Sequence, residues 1–431
     1  MIKSIKLDKN KKIYGDISIP ADKSISHRSI IFASIGDGLS IINNLLEAKD
    51  TKKTLNAFRS MGIKIKKKDN KFLVNGKGIY GLSSPQDIIY CGNSGTTMRL
   101  LAGLLTGSNL TVTLDGDESL KKRPMDRIIY PLNKMGADIN GIKEKYSPLK
   151  IKPAKLNGIN YKLPIASAQV KSSLLLANIY TNDIIKLSEP KSSRNHTELL
   201  MKKLGLTIET KDNLEIIFNS NKIKIPNYEY HIPGDFSQAA YFITAALLIP
   251  NSEIVIRDVN LNHTRTGFLE VIKKMGANIE ILNRKKSNGE EVGNLLVKHS
   301  DLIGININKE IIPRMIDEIP LIAILALKAK GETKINSASE LRVKESDRLY
   351  VLKEAFKKLN LKFEVFEDGF KIRGPQKIKG NVEIDTFKDH RMAMTFSILS
   401  LITERGLKLI GAECISNSFP NFYKKINEVI K

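Results

Sequence analysis

Six stretches along the chain, about 70 residues apart, pass from a polar turn into an almost wholly apolar run of helical length. They are PADKSISHRS (20–29), CGNSGTTMRL (91–100), IASAQVKSSLLLA (165–177), PGDFSQAAYF (233–242), DEIPLIAILAL (317–327) and KDHRMAMTFSI (388–398). A period of this length marks a repeat architecture. Each run carries polar residues at its head. A helix N-terminus leaves backbone N–H groups unpaired and carries partial positive charge, so six such ends facing one cleft would bind anions strongly.

A second pattern keeps step with the first. Amphipathic segments ending in a small-residue stop and a new strand occur as TLNAFRSMGIKI, IIYPLNKMGADI, HTELLMKKLGLTI, TGFLEVIKKMGANI and LYVLKEAFKKLNLKF. Gly62, Gly136, Gly205 and Gly276 stand at the helix C-caps, where positive φ costs glycine little, and Asn360 stands there in the fifth copy. After three of the stops, KIKKKDNKFLV, TIETKDNLEIIF and KFEVFEDGFKIRG predict a hairpin with Asp-Asn or Asp-Gly at its turn. Each unit therefore reads as a buried helix, a strand, an amphipathic helix and a β-hairpin.

The sixth amphipathic helix, NFYKKINEVIK (421–431), is followed by no strand, whereas SIKLDKNKKIYGDISIP (4–20) has strand alternation, a turn at Asp8–Asn10 and no helix before it. The first residues are thus expected to complete the last unit. This predicts a middle domain of residues 21–232 and a second domain built from 1–20 plus 233–431, with crossovers near Pro20 and Pro233 as the hinge. A cleft between the domains is the expected place for a site.

Composition narrows the picture in a few places. The 431 residues suffice for two domains, and 42% hydrophobic with 27% charged residues leaves no disordered tract. No signal-peptide core or membrane-length apolar run occurs, and two cysteines, Cys91 and Cys414, suit a reducing cytoplasm. The six histidines and two cysteines show no metal-ligand spacing. A net charge of +23 taken alone suggests nucleic acid, yet the lysine clusters lack interleaved aromatics and recognition motifs, so they read as solvated surface.

The arginines matter more, because they lie inside the helix-opening motifs. Lys23, Ser24 and Arg28 share one helix start; Arg123 precedes Pro124, a residue suited to a first helical turn; Lys344, Glu345 and Arg348 fall on one predicted helical face or helix start. Any one of these alone suits a surface ion pair. At equivalent points of a repeated unit they suit small dianions.

Read together, DKSISHRS, GNSGTTMRL, KRPM, SAQVKS, RNHTE (194–198), PGD, DEIP, LRVKESDR and DHRMAM occur in an order that closely resembles the EPSP synthase family of enolpyruvyl transferases over essentially the whole chain. The resemblance implies an α/β fold of two domains, each of three βαβαββ units, a pseudo-sixfold inside-out α/β barrel. It implies transfer of the enolpyruvyl group of phosphoenolpyruvate to the 5-hydroxyl of shikimate 3-phosphate in a cytoplasmic monomer, with no cofactor, metal, nucleic acid or membrane. By motif, Lys23, Ser24, Arg28, Ser167, Ala168, Gln169, Arg194, Asp317 and Lys344 would hold shikimate 3-phosphate. Lys23, Asn93, Gly95, Arg123, Gln169, Arg348 and Arg391 would hold phosphoenolpyruvate. Asp317 matches the base for the sugar hydroxyl, and Glu345 and Lys23 are the two candidates for protonating carbon.

Some positions depart from the family pattern. Asn417 stands where many members place a lysine that contacts phosphoenolpyruvate, Ala168 replaces a serine, and Leu100 stands where many have proline. His27 and His390 lie inside motifs but are read as structural, or as supports behind the site, rather than catalytic, since neighbouring arginines already supply fixed charge. Two alternatives stand beside this reading: enolpyruvyl transfer to UDP-N-acetylglucosamine, disfavoured because the KKRPMDR stretch has no cysteine, and a basic nucleic-acid-processing protein.

Overall fold

The computed structural model describes residues 2–5, by backbone alone, 11–221 and 223–431. The turn expected at Asp8–Asn10 lies outside these residues. The chain forms two compact units: one of Met1–Pro20, Pro233–Lys285 and Glu291–Lys431, the other of Ala21–Ile232 and Lys286–Glu290.

All six apolar runs are helices, labelled in chain order α1 (Lys23–Ile35), α2 (Gly95–Thr106), α3 (Ala168–Asn178), α4 (Phe236–Leu248), α5 (Ile319–Ala326) and α6 (His390–Leu401). They are buried on nearly every face, which is why their sequences lack the usual polar stripe. Five begin with a side-chain cap: Asp22, Ser94, Ser167, Asp235 and Asp389 each accept a backbone N–H of the first turn. In α5 the cap is replaced by Pro320 in the first turn, where a missing N–H costs nothing.

In the Ala21–Ile232 unit, α1, α2 and α3 lie among three four-stranded sheets of one design. A short strand pairs parallel with a second, which pairs antiparallel with a hairpin. The sets are Glu229–His231 with Asp37–Asn43, Lys71–Lys77 and Lys64–Lys68; Ile89–Tyr90 with Val112–Asp115, Tyr146–Lys152 and Asp138–Ile142; and Asn160–Lys162 with Ile184–Ser188, Glu215–Asn219 and Ile208–Thr210. Alternate strand residues turn inward and join a single apolar core with the helices. Helices α2 and α3 approach so closely that a Cβ on Gly103 would stand 2.1 Å from the Ser173 carbonyl oxygen.

The other unit repeats the plan around α4, α5 and α6, with its own core. Strand Tyr14–Ser18 pairs parallel with Glu253–Asn260, and Ile2–Ile5 pairs antiparallel with Leu407–Ile410. The latter strand takes the place that a hairpin strand fills in the other sheets, because Leu407–Ile410 pairs parallel with Glu383–Asp385 on its far side.

Gly62, Gly136, Gly205, Gly276 and Asn360 all adopt positive φ at the ends of the amphipathic helices. Hairpins follow all five stops, two more than the sequence predicts. Lys143 and Glu144 take the positive-φ positions in the turn of one, while the neighbouring Asn140-Gly141 lies in the strand at a register shift; the other turns on Asn288-Gly289. Pro124 also differs from expectation. It lies before Met125, the cap of helix Asp126–Lys134, because the short helix Glu118–Lys121 ends just upstream and leaves Arg123 and Pro124 as a linker. Among the described residues no helix is long and apolar enough to cross a membrane.

Candidate active site

In the Ala21–Ile232 unit, Asp22 caps α1 and so places Lys23 and Ser24 in its first turn, with Arg28 one turn later. The Lys23 ammonium meets Asp50 at 2.9 Å. Arg28 is buried, and each guanidinium nitrogen has a partner: Nε donates to Thr197 Oγ1 at 2.6 Å, Nη1 to the Ser24 carbonyl at 2.9 Å and Nη2 to Ser172 Oγ at 2.8 Å. Burial lowers its pKa to about 10, with Glu198 and Asp22 opposing and Arg194 adding to the fall; it remains a cation. Arg194 is therefore near enough to Arg28 for two positive charges to be felt together.

Arg194 and Thr197 sit on a segment held from below. Lys171, buried on α3, reaches Glu189 and Glu198 at 2.7 Å each, and Glu189 also accepts the Ser193 hydroxyl. Burial opposes the Lys171 charge, but the two carboxylates outweigh it and raise its pKa.

The N-termini of α2 and α3 are laced together. Gln169 accepts from Arg99 Nη1 at 2.6 Å and donates to Thr96 Oγ1 at 3.0 Å, while Arg99 also donates to the Pro124 carbonyl at 3.0 Å. Asn93 donates to Asp117 at 3.0 Å, and its carbonyl faces Arg123 Nη1 at 3.5 Å. A Cβ on Gly95 would meet Arg99 Nη1 at 3.0 Å and the Arg123 guanidinium at 3.1 Å. Ser167 is spent on the α3 cap, accepting from Val170 N at 3.4 Å, and Ala168 is the first helical residue after it.

The Pro233–Lys431 part of the other unit gathers Asp317, Glu345, Arg348 and Arg391 into one ion network. Arg348 is 1% exposed, and each guanidinium nitrogen meets a carboxylate: Nη1 to Asp317 Oδ1 at 3.2 Å, Nη2 to Glu345 Oε2 at 2.6 Å and Nε to Asp389 Oδ2 at 2.8 Å. Arg391 Nη2 meets the other Asp317 oxygen at 3.2 Å. Burial works against both arginine charges, but Asp389, Glu345 and Asp317 around Arg348, and Asp317 and Glu318 around Arg391, raise both pKa values. Lys344 lies beside them with its pKa lowered by burial against the pull of Asp317. Arg348 begins helix Arg348–Lys358 behind its cap Asp347, so Lys344 and Glu345 lie ahead of the helix rather than on its face. A short 3-10 turn, Ser339–Val343, sets their direction instead.

Several residues that shape these clusters went unnoticed in the sequence: Asp50, Thr96, Arg99, Ser172, Thr197 and Asp389. Five of the six stand inside the motifs quoted above, where residue type alone does not distinguish a partner from a spacer. Asn417 ends the short turn Ala412–Asn417.

A family model described as EPSP synthase (3-phosphoshikimate 1-carboxyvinyltransferase) matches residues 7–426. Proteins named 3-phosphoshikimate 1-carboxyvinyltransferase from Thermodesulfovibrio yellowstonii and Bacillus pumilus are 46% and 40% identical, each aligned over 99% of this chain and covered to 99% and 100% of their own length. Among solved structures, the EPSP synthase of Acinetobacter baumannii matches with a TM-score of 0.88 and 37% identity, covering 100% of this chain and 99% of that one. The enolpyruvyl transferase NikO of Streptomyces tendae, at 13% identity and a TM-score of 0.78 over 99% and 97% of the two chains, shares the fold.

Proposed function

The chain belongs to the EPSP synthase family, and from that premise we propose that it transfers the enolpyruvyl group of phosphoenolpyruvate to the 5-hydroxyl of shikimate 3-phosphate, releasing inorganic phosphate. The observation that carries this reading is the Asp317–Arg348–Arg391 cluster with Glu345 attached. Both oxygens of Asp317 face guanidinium groups, Oδ1 that of Arg348 and Oδ2 that of Arg391, each at 3.2 Å. When the anionic groups of phosphoenolpyruvate take those arginines, Asp317 is released to accept the proton of the attacking hydroxyl.

The bonds then change in two stages. The methylene carbon of phosphoenolpyruvate gains a proton from Glu345 or Lys23, and the hydroxyl oxygen adds to the neighbouring carbon as its own proton passes to Asp317. In the resulting tetrahedral adduct the new methyl group returns a proton to the residue that supplied it, and the C–O bond to phosphate breaks with its electron pair going to the phosphate oxygen. The double bond is restored as phosphate leaves, the proton held by Asp317 departing with it. Lys23, Ser24, Arg28, Ser167, Ala168, Gln169, Arg194 and Lys344 are assigned to shikimate 3-phosphate. Asn93, Gly95, Arg123, Arg348 and Arg391, with Lys23 and Gln169 shared, are assigned to phosphoenolpyruvate. Fixed guanidinium charge around the developing anion supplies the stabilisation.

Release of inorganic phosphate from phosphoenolpyruvate should require shikimate 3-phosphate. Release prompted by UDP-N-acetylglucosamine instead, or by neither acceptor, would overturn the reading.

A further inference from the structure

We propose that His27 is a positioning residue for phosphoenolpyruvate, acting through Thr54, Thr97 and Ser94 on the N-terminus of α2. The inference rests on the assignment of that N-terminus to phosphoenolpyruvate made above.

His27 is fully buried on α1, between Lys23 and Arg28 in sequence. Its Nδ1 lies 2.7 Å from Thr54 Oγ1, on helix Lys49–Ser60; that oxygen lies 2.8 Å from Thr97 Oγ1, whose hydroxyl donates to Ser94 Oγ at 2.7 Å. Ser94 is the cap of α2 and accepts the Thr97 N–H at 3.2 Å. Three helices are thus joined by a chain of buried hydrogen bonds.

The chain has a direction, because each hydroxyl has one proton to give. Thr97 spends its proton on Ser94, so Thr54 donates to Thr97 and His27 Nδ1–H donates to Thr54. Nε2 is then a bare lone pair, and it has no hydrogen-bond partner. A lone pair left unpaired costs less than a buried N–H left unpaired, so this tautomer is the cheaper one. Burial, reinforced by Lys23 and Arg28 against the opposite pull of Asp50, lowers the His27 pKa to about 3, so the ring stays neutral and the chain intact at ordinary pH.

Many buried histidines meet one hydroxyl and do no more than fill the core. Here the chain ends on the cap next to Gly95, where the space to the Arg99 and Arg123 guanidinium groups is only 3.0–3.1 Å from an added Cβ. A cap loosened by a few tenths of an ångström therefore shifts both the Gly95 N–H and the arginines assigned to the anion.

Thr54→Val deletes the hydroxyl and keeps the shape, while Thr54→Ser keeps the hydroxyl. Steady-state kinetics should show the KM for phosphoenolpyruvate rising about tenfold in Thr54→Val, the KM for shikimate 3-phosphate staying within about twofold, and Thr54→Ser returning to wild type. An unchanged phosphoenolpyruvate KM in Thr54→Val, whatever its Tm, would overturn the proposal. So would an equal rise in both KM values, or a Thr54→Ser variant as impaired as Thr54→Val. Gly95→Ala serves as the control on the premise. If it leaves the phosphoenolpyruvate KM unchanged, the site assignment fails and the proposal falls with it; if it raises that KM while Thr54→Val does not, the relay alone is wrong.

Discussion

Asp317 holds Arg348 through one oxygen and Arg391 through the other, so the carboxylate proposed above as the base also orients two cations. Asp317→Asn keeps the shape and removes both the basicity and the charge. Turnover should fall by about 100-fold or more, with the KM for shikimate 3-phosphate changed far less. Near-normal turnover would take Asp317 out of the mechanism. A second residue-level consequence concerns acid. His27 binds its proton near pH 6.5 in the unfolded chain and only near pH 3 in the fold. Across that window the unfolded state holds the extra proton, so stability falls as pH drops, by up to about 1.4 kcal/mol per pH unit from this one group. Urea unfolding between pH 6.5 and 4.5 should give a shallower pH slope for His27→Gln than for wild type; parallel slopes would contradict the assignment. At this scale the motifs picked out Asp317, Arg348 and Arg391 but not Asp389, which is needed on Arg348 as well. A residue's type can be read from a motif, whereas its choice of partner is made by folding.

Helices and their ends were the most legible elements. Apolar runs without a polar stripe can only be buried, and glycine at a C-cap has a local physical reason, so both survive transfer from sequence to structure. The misjudged elements depend on neighbours. The hairpin near Asn140-Gly141 turns on Lys143 and Glu144 instead, and Arg348 starts its helix one residue after the cap that leaves Lys344 and Glu345 outside it. The contact between α2 and α3 belongs to this level too. At Gly103 the two backbones leave no room for a methyl group, since its nearest neighbour would be the Ser173 carbonyl oxygen at 2.1 Å rather than a yielding side chain. Gly103→Ala should destabilise the protein by roughly 2–4 kcal/mol, although alanine favours helix. A urea midpoint equal to wild type would show that the helices can separate at little cost.

For the molecule as a whole, the sixfold repeat was legible because its period is long and its copies are internally consistent, and the fold follows from it. The charge of +23 says less about the two clusters than the motifs do. Lys64, Lys66 and Lys68, for instance, lie exposed on one strand and take no part in either cluster described above.

Strand Ile2–Ile5, paired with Leu407–Ile410, also sets a timetable. A ribosome makes that first strand long before its partner exists, and makes Tyr14–Ser18 well before Glu253–Asn260. Between them it makes the Ala21–Ile232 unit, nearly all of which is contiguous and can fold while synthesis continues. Nascent chains stalled after residue 290 has cleared the ribosome should resist protease across 21–232 while residues 1–20 remain cleavable, and protection of the leading segment should arrive only once residue 410 has emerged. If protection of 21–232 also waits for the complete chain, the two units do not mature in that order. Strand Ile2–Ile5, made before the whole Ala21–Ile232 unit, would thus be among the last of these elements to find its place, an open edge carried unspent while everything between it and Leu407–Ile410 is made.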